Sequence, residues 1–149
     1  MSATIRSADI NDLPNILSLL AEMHDERRDE EPRQDEIARF RRILEQPLRT
    51  LFVAEEDGKV VGTADLIVVE NLSRNGRPWA TIENIVVEAG HRNRGYATAL
   101  INQAVDTARE LGCYKVQLVS NDRRVVAHNL YHKTGFCAPV RGFRQYLCD

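Results

Sequence analysis

The chain has 149 residues, a length typical of one compact domain, and we expect residues 1–149 to form a single domain. Its 20 basic and 22 acidic residues give a net charge of −2, which offers no electrostatic reason to expect nucleic acid or an anionic membrane as a partner. No run approaches the roughly 20 apolar residues that span a bilayer, and three cysteines, an odd number, fit a reducing compartment. We therefore expect a cytoplasmic protein.

The first third of the sequence predicts one strand and two helices. Residues 4–6 favour a short strand, and Asn11 is expected to cap a helix. The apolar positions of that helix recur at helical spacing and are Leu13, Ile16, Leu17, Leu20 and Met23. The charged segment 24–35 is interpreted as a solvated loop, with a lid over a substrate as the functional alternative. A second short helix surrounds Phe40 and ends near Pro47.

Strands dominate the middle of the sequence. The apolar runs 51–54 and 60–69 flank Asp57 and Gly58, which is a strong hairpin signal. After a turn-rich break at 73–78, residues 79–87 predict a third strand of this group.

Helices and strands alternate in the last third. A polar loop, 90–95, leads into an amphipathic helix whose apolar stripe is Leu100, Ile101, Ala104, Val105, Ala108 and Leu111. Gly112 stands where a helix C-terminal glycine belongs. The pattern then predicts a strand over 115–119, a helix over 125–133 and a final strand over 140–147. The whole order indicates a mixed α/β domain whose sheet is mostly antiparallel.

The loop between the strand 79–87 and the long helix has the parts of an anion site. A helix start offers about four backbone N–H groups without internal partners and the positive end of the helix dipole. Gly95 allows close approach of the backbone, and Arg92 and Arg94 add positive charge. A basic surface loop without a ligand is the plainer alternative. The loop lacks the glycine pattern of dinucleotide-binding folds and the Gly-Lys-Ser/Thr ending of nucleotide hydrolases.

Three segments together resemble the GCN5-related N-acetyltransferase (GNAT) family. They are residues 81–87, the pattern Arg92-x-x-Gly95-x-Ala97, and residues 129–136, in which Tyr131 precedes a Gly-Phe pair. The order of elements also matches along the whole chain. The resemblance implies a single-domain fold with helices on both faces of a twisted, mostly antiparallel sheet and a splayed central strand pair. It also implies acetyl-CoA as co-substrate.

The resemblance implies a set of cofactor-binding residues. The pantetheine arm would pair with the backbone of Ile85, Val86 and Val87, which are otherwise core strand residues. The pyrophosphate would lie against the loop and first helical turn formed by Arg92, Asn93, Arg94, Gly95, Tyr96, Ala97 and Thr98. Many family members carry Asn seven residues before the tyrosine, where this chain has Arg124. We expect Arg124 to lie near the cofactor phosphates and Asn129 to replace part of the missing amide.

Acetyl transfer to an amine requires a base and an acid. A substrate amine with a pKa of about 10.4 must lose a proton before it attacks, and the leaving thiolate gains from a proton donor. Tyr131 matches the family's tyrosine that points at the sulfur, with a purely structural buried tyrosine as the alternative. Glu83, within an apolar run, is the candidate base, and a solvent-facing or ion-paired glutamate is the alternative.

Several assignments stay open at the sequence level. His128 and His132 have a helical metal spacing, but no third ligand accompanies them, so we predict no metal. Short matches to glucosamine-6-phosphate and aminoalkylphosphonate acetyltransferases predict a small polar amine as acceptor, and a peptide amine is the alternative. A non-catalytic acetyl-CoA-binding sensor or scaffold is the competing class of function. The apolar terminal stretch also suggests a homodimer, as in many family members.

Overall fold

A computed structural model describes residues 3–148 of the chain. It contains five strands and four α-helices in this part of the chain. The strands are β1 (Thr4–Ser7), β2 (Arg49–Glu56), β3 (Lys59–Val69), β4 (Trp79–Val87) and β5 (Val116–Gln117). The helices are α1 (Leu13–Met23), α2 (Gln34–Leu44), α3 (Tyr96–Glu110) and α4 (Val125–Lys133). No helix within 3–148 has the length and apolar character needed to cross a bilayer.

The five strands form one sheet in the order of the sequence, β1-β2-β3-β4-β5. The first three pairings are antiparallel and the β4–β5 pairing is parallel. The β2–β3 hairpin turns at Asp57 and Gly58, both with positive φ, as the sequence predicts. The predicted mixed, mostly antiparallel α/β sheet is confirmed.

Two hydrophobic clusters lie on opposite faces of the sheet. One packs α3 against strand residues such as Val61 and Ile82, and the other packs α1 and α2 against Val53, Val60 and Val86. The sheet is therefore covered on both faces, and β3, which is buried along most of its length, runs through the centre.

The start of the first helix differs from the prediction. Asp9, rather than Asn11, caps the chain here, and its carboxylate accepts a hydrogen bond from the Asn11 N–H in a short 3₁₀ turn, Ile10–Asp12. The Asp12 carboxylate accepts from the Asp9 N–H at 2.8 Å and from the Arg6 guanidinium. Because these groups hold a tight turn first, α1 begins only at Leu13.

The helix predicted over 125–133 is confirmed, whereas the two strands predicted on either side of it differ from the structure. The predicted strand 115–119 shrinks to Val116–Gln117, and the predicted strand 140–147 does not form in the described chain. Its apolar residues are exposed, with Phe143 93% and Leu147 90% accessible. Aromatic and branched residues favour a strand, but a strand also needs a neighbouring edge to pair its backbone groups. In the part of the chain that the structure describes, this segment pairs with neither edge strand of the sheet, β1 nor β5.

Candidate active site

A bulge in β4 opens the sheet at one place. Asn84 adopts a left-handed φ of 53°, and the β3–β4 register shifts opposite it, between Thr63 and Asp65. On its other side β4 pairs with β5 only at Ala80 and Thr81. The part of β4 that follows the bulge therefore has no β5 partner, and this is the splayed strand pair that the resemblance implies.

The three residues after the bulge use their side chains for packing. Val86 belongs to the cluster beneath α1 and α2, Val87 belongs to the cluster beneath α3, and Ile85 packs against the latter. Their side chains therefore have structural roles, and only their main chain is left for a ligand. The Val87 carbonyl accepts a hydrogen bond from the Arg92 Nε at 3.1 Å, which links the strand end to the following loop.

The loop after β4 presents an open helix N-terminus. Gly95 occupies the N-cap position of α3 with φ 89°, and Asn93 also has a positive φ of 61°. No side chain caps α3, so its first N–H groups lack side-chain acceptors. A Cβ added at Gly95 would meet no atom within 4 Å, so the loop lies beside open space. Backbone N–H groups in such a place fit a phosphate group.

The predicted loop residues divide by burial. Arg92, Asn93, Arg94 and Gly95 are exposed, and Ala97 and Thr98 are half-buried. Tyr96 is buried in the core cluster, and its ring lies beside the loop, with its centroid 5.7 Å from the Arg94 guanidinium carbon and 6.3 Å from the His91 ring centroid.

The two arginines of the loop form ion pairs with acidic residues that are distant in the sequence. The Arg94 Nη2 donates to Glu56 Oε1 at 2.6 Å, and Arg92 Nη2 lies 3.5 Å from Glu22 Oε1. The pKa of Glu56 is below its ordinary value, mainly because the carboxylate accepts a hydrogen bond from Tyr96. The positive charges of Arg94 and His91 also lower this pKa, and desolvation opposes them. Sequence reasoning missed Glu22 and Glu56, because no local pattern reports a contact across such separations.

Tyr131 is buried on α4. Its ring contacts Phe136 edge to face, with centroids 6.4 Å apart, and Phe136 packs against the cluster that contains Val87 and Tyr96. Tyr131 is thereby attached to the same core as the end of β4. Desolvation raises the pKa of Tyr131 above its ordinary value, and the positive charge of Arg124 opposes this rise. The phenol therefore stays protonated at neutral pH.

Glu83 lies on β4 one residue before the bulge. It pairs with Asp65 of β3 in the register and accepts a hydrogen bond from the Thr81 hydroxyl at 3.1 Å. It is exposed, as the solvent-facing alternative predicts.

The remaining candidates lie on or beside α4. Arg124 precedes the helix at its N-cap and is exposed, as is Asn129. His128 Nε2 lies 2.9 Å from the Asn121 carbonyl oxygen, and His132 Nδ1 lies 3.2 Å from that of Phe136. Both rings thus have backbone neighbours, and residues 3–148 contain no group of three metal-ligating side chains.

Comparisons with known proteins agree with this geometry. The family model described as "Acetyltransferase (GNAT) family" matches residues 14–136, so the chain belongs to the GNAT acetyltransferase family. A candidate acetyltransferase from Agrobacterium tumefaciens str. C58 shares 38% identity over 96% of this chain and 99% of that chain, with a TM-score of 0.90. A structure described as a transcriptional regulator from Bacillus halodurans C-125 shares 28% identity over 98% and 100%, also with a TM-score of 0.90.

A curated relative adds a substrate name. Glucosamine 6-phosphate N-acetyltransferase of Trypanosoma brucei brucei is 35% identical over 94 residues, which are 63% of this chain and 62% of that protein. The chain therefore spans less than two thirds of the length of this relative.

Proposed function

We propose that the protein transfers the acetyl group of acetyl-CoA to a primary amine by direct attack. The observation that carries this proposal is the stretch of β4 after the Asn84 bulge, which has no β5 partner and lies beside the uncapped N-terminus of α3. An extended pantetheine amide can pair with a free strand edge, and a pyrophosphate can accept from free N–H groups. The two features lie next to each other in the chain and form one continuous binding surface.

Cofactor binding then divides between strand and loop. The backbone of Ile85, Val86 and Val87 would pair with the pantetheine arm, and a backbone N–H there would stabilise the oxyanion. The pyrophosphate would accept from N–H groups of residues 92–98. Arg124 and Asn129, beside and on α4, are proposed to contact the cofactor from the opposite side.

The chemical step needs two proton transfers. The neutral amine attacks the thioester carbonyl, a C–N bond forms, and the carbonyl oxygen carries the negative charge of a tetrahedral intermediate. When the intermediate collapses, the C–S bond breaks and Tyr131 gives its proton to the leaving thiolate. Glu83, directly or through water, takes the proton of the amine. The exposure of Glu83 supports this role, since the carboxylate is reachable from solvent.

The acceptor that we propose is a small polar amine of the amino sugar phosphate or aminoalkylphosphonate type. The name of the trypanosomal relative supports the first of these. The acceptor would approach the bulge from the face of the sheet that carries Glu83 and Asp65.

The test is an assay of CoA thiol release across a panel of amines. The panel contains glucosamine 6-phosphate, aminoalkylphosphonates, polyamines, amino acids and short peptides, with wild type, Tyr131→Phe and Glu83→Gln. Turnover of one class that falls by about 10²-fold in each variant would support the reaction and both roles. Unchanged turnover in Glu83→Gln would reject Glu83 as the base. Tight acetyl-CoA binding without turnover of any amine would reject the catalytic proposal.

The second candidate is a non-catalytic acetyl-CoA-binding sensor or scaffold. The similar Bacillus halodurans structure, described as a transcriptional regulator, favours it. The presence of Tyr131 at the place of the family's acid disfavours it, because a binding module needs no proton donor.

We further propose a cytoplasmic homodimer that does not bind nucleic acid or membranes. Free cysteines support the compartment, and the exposed Phe143, Tyr146 and Leu147 support self-association. Light scattering on a sizing column would test the dimer, with a monomer mass of 16.9 kDa as reference. Phe143→Asp is expected to shift the protein to monomer, and Val126→Asp, also on an exposed apolar residue, is the control. A monomeric wild type would reject this proposal.

A further inference from the structure

A cavity of about 190 Å³ lies between α1, α2 and the sheet. Most of its wall is apolar and includes Ile16, Leu17, Leu20, Phe40, Ile43 and Leu51. Leu17, Leu20 and Ile43 are only half-buried, although they belong to helix faces that point at the sheet. These apolar side chains are therefore partly exposed to the cavity, whereas tighter packing of the helices on the sheet would bury them.

The charged groups of the cavity are already neutralised inside it. Asp65, which is buried, accepts hydrogen bonds from Nε and Nη2 of Arg49, and the Asp65 carboxylate holds the pKa of Arg49 above its ordinary value. Glu36 is paired with both terminal nitrogens of Arg28 at 2.7 Å. Arg39 is exposed, 3.6 Å from Asp35. The interior therefore offers no unpaired cation for a phosphate group.

Part of the cavity wall coincides with the bulge. Thr63, Asp65 and Asn84 all line it, and these are the residues at which the β3–β4 register shifts. Ile85, at which the proposed acetyl site begins, follows Asn84 directly. A molecule that fills the cavity therefore has one end at the place where acetyl transfer is proposed.

We infer that this cavity binds the apolar body of the acceptor, and that the acceptor is an amine with an aromatic or branched alkyl group of about six carbons. The inference rests on the proposed function. An apolar protein cavity of about 150 Å³ accommodates a benzene molecule, so the volume here suits a phenyl-sized group. The amine end then lies at Asn84, close to Glu83, and the apolar body lies against Leu17, Leu20 and Ile43.

The same walls disfavour a sugar. Each hydroxyl that loses its water without gaining a hydrogen bond costs about 1–3 kcal/mol. The Thr63 hydroxyl already donates to the Phe52 carbonyl, and the ionic side chains bind one another. The cavity therefore favours an amine with an uncharged hydrocarbon body over both acceptor types named above, because an amino sugar loses hydrogen bonds there and a phosphate or phosphonate group finds no unpaired cation. The comparison of amines below decides between this acceptor and those two types.

The first test compares primary amines that carry different groups beside the amine. Wild type is assayed with ethylamine, 2-phenylethylamine and glucosamine 6-phosphate. Burial of the ring is expected to raise kcat/KM for 2-phenylethylamine above that for ethylamine by about 10²-fold or more. If glucosamine 6-phosphate is acetylated and this preference is absent, the inference is overturned and the proposed function stands.

Substitutions in the cavity wall test whether the preference for 2-phenylethylamine arises in the cavity. Ile43→Trp fills the cavity and is expected to lower the preference for 2-phenylethylamine over ethylamine at least 10-fold. Leu17→Ala enlarges it and is expected to shift the preference towards 2-(1-naphthyl)ethylamine. Leu72→Trp, on a fully exposed loop residue, is the matched control and is expected to keep the wild-type preference. Equal preference in all four proteins would overturn the inference.

A binding measurement separates the two proposals. If no amine releases CoA, the proposed function fails, and 2-phenylethylamine is titrated calorimetrically into wild type and Ile43→Trp with CoA present. Binding to wild type that is lost in Ile43→Trp would support the cavity as an amine site even then. Absence of binding to wild type would overturn the inference as well.

Discussion

At the scale of single residues, the proposed role of Tyr131 as proton donor gives the most specific prediction. Burial raises the pKa of its phenol above the ordinary value of 10, so the proton donor is present throughout the neutral and mildly alkaline range. Tyr131→Phe keeps the packing against Phe136 and removes only the hydroxyl. We expect kcat to fall by about 10²-fold while the Kd for acetyl-CoA stays within a few-fold.

The pH profile distinguishes this role from a structural one. Because the raised pKa keeps the phenol neutral, loss of activity on its deprotonation is expected only above pH 10 in wild type. Phe136→Leu disturbs the same contact without touching the acid and is the control. An unchanged kcat in Tyr131→Phe would contradict the assignment.

At the scale of elements, the contacts at the start of α2 predict that the stability of the fold depends on pH. Glu36 accepts from Arg28 and from the Arg33 N–H, and these contacts lower its pKa from 4.5 to about 2. A carboxyl whose folded-state pKa is depressed stabilises the fold above its unfolded pKa and loses that contribution as pH falls. We therefore expect stability to decline between about pH 4.5 and pH 2 partly through Glu36.

Thermal unfolding across pH measures this contribution. Glu36→Gln is expected to lower Tm relative to wild type at pH 7, and the difference is expected to shrink as pH falls towards 2. Glu31→Gln, on an exposed residue of the same connection, is the control. A difference in Tm that does not depend on pH would show that the Glu36 charge contributes nothing.

The loop before α3 yields a prediction about ligand selectivity. Arg94 is exposed and is held by Glu56 beside the N-terminus of α3. A hydrogen bond to a charged group contributes about 1.5–3 kcal/mol, so Arg94→Ala is expected to raise KM for acetyl-CoA by about 10-fold or more. Acetyl-pantetheine lacks the pyrophosphate, and its KM is expected to stay the same. An equal rise for both thioesters would contradict a phosphate contact.

The sequence predicted the positions of helices and turns better than the contacts between distant segments. The hairpin at Asp57 and Gly58 and the helix over 125–133 were predictable because turn chemistry and helical periodicity are local. The strand predicted over 140–147 was wrong because strand formation depends on a partner edge, which no local pattern reports. The ion pair of Glu56 with Arg94 could not be predicted either, because the two residues are far apart in the sequence.

The candidate site shows the same division. Arg92, Gly95 and Tyr131 could be named as candidates because the family resemblance depends on their spacing along the chain. The cavity beneath α1 and α2 could not, since Leu17, Ile43 and Asn84 come together only through the packing of three separate elements. The exposure of Glu83 could not be decided either, because the apolar run around it does not reveal which positions of the strand face solvent.

At the scale of the whole molecule, the proposed cofactor contacts bring three elements of the fold onto one ligand. The end of β4, the start of α3 and the helix α4 would all touch one ligand. A ligand that binds only the folded state stabilises it by about 2.7 kcal/mol at 100 times its Kd. For a domain of this length, each kcal/mol raises Tm by about 2–4 °C, so saturating acetyl-CoA is expected to raise Tm by roughly 5–10 °C.

This last prediction separates binding from catalysis. Tyr131→Phe is expected to keep most of the Tm increase, because the hydroxyl acts in the chemical step, whereas Arg94→Ala is expected to lose part of it at the same acetyl-CoA concentration. Differential scanning fluorimetry of the three proteins, each with and without acetyl-CoA, measures both effects. If wild type shows no increase, the stretch of β4 after the bulge does not bind the cofactor. If Tyr131→Phe loses the whole increase, Tyr131 holds the ligand or the fold, and its assignment as the proton donor fails.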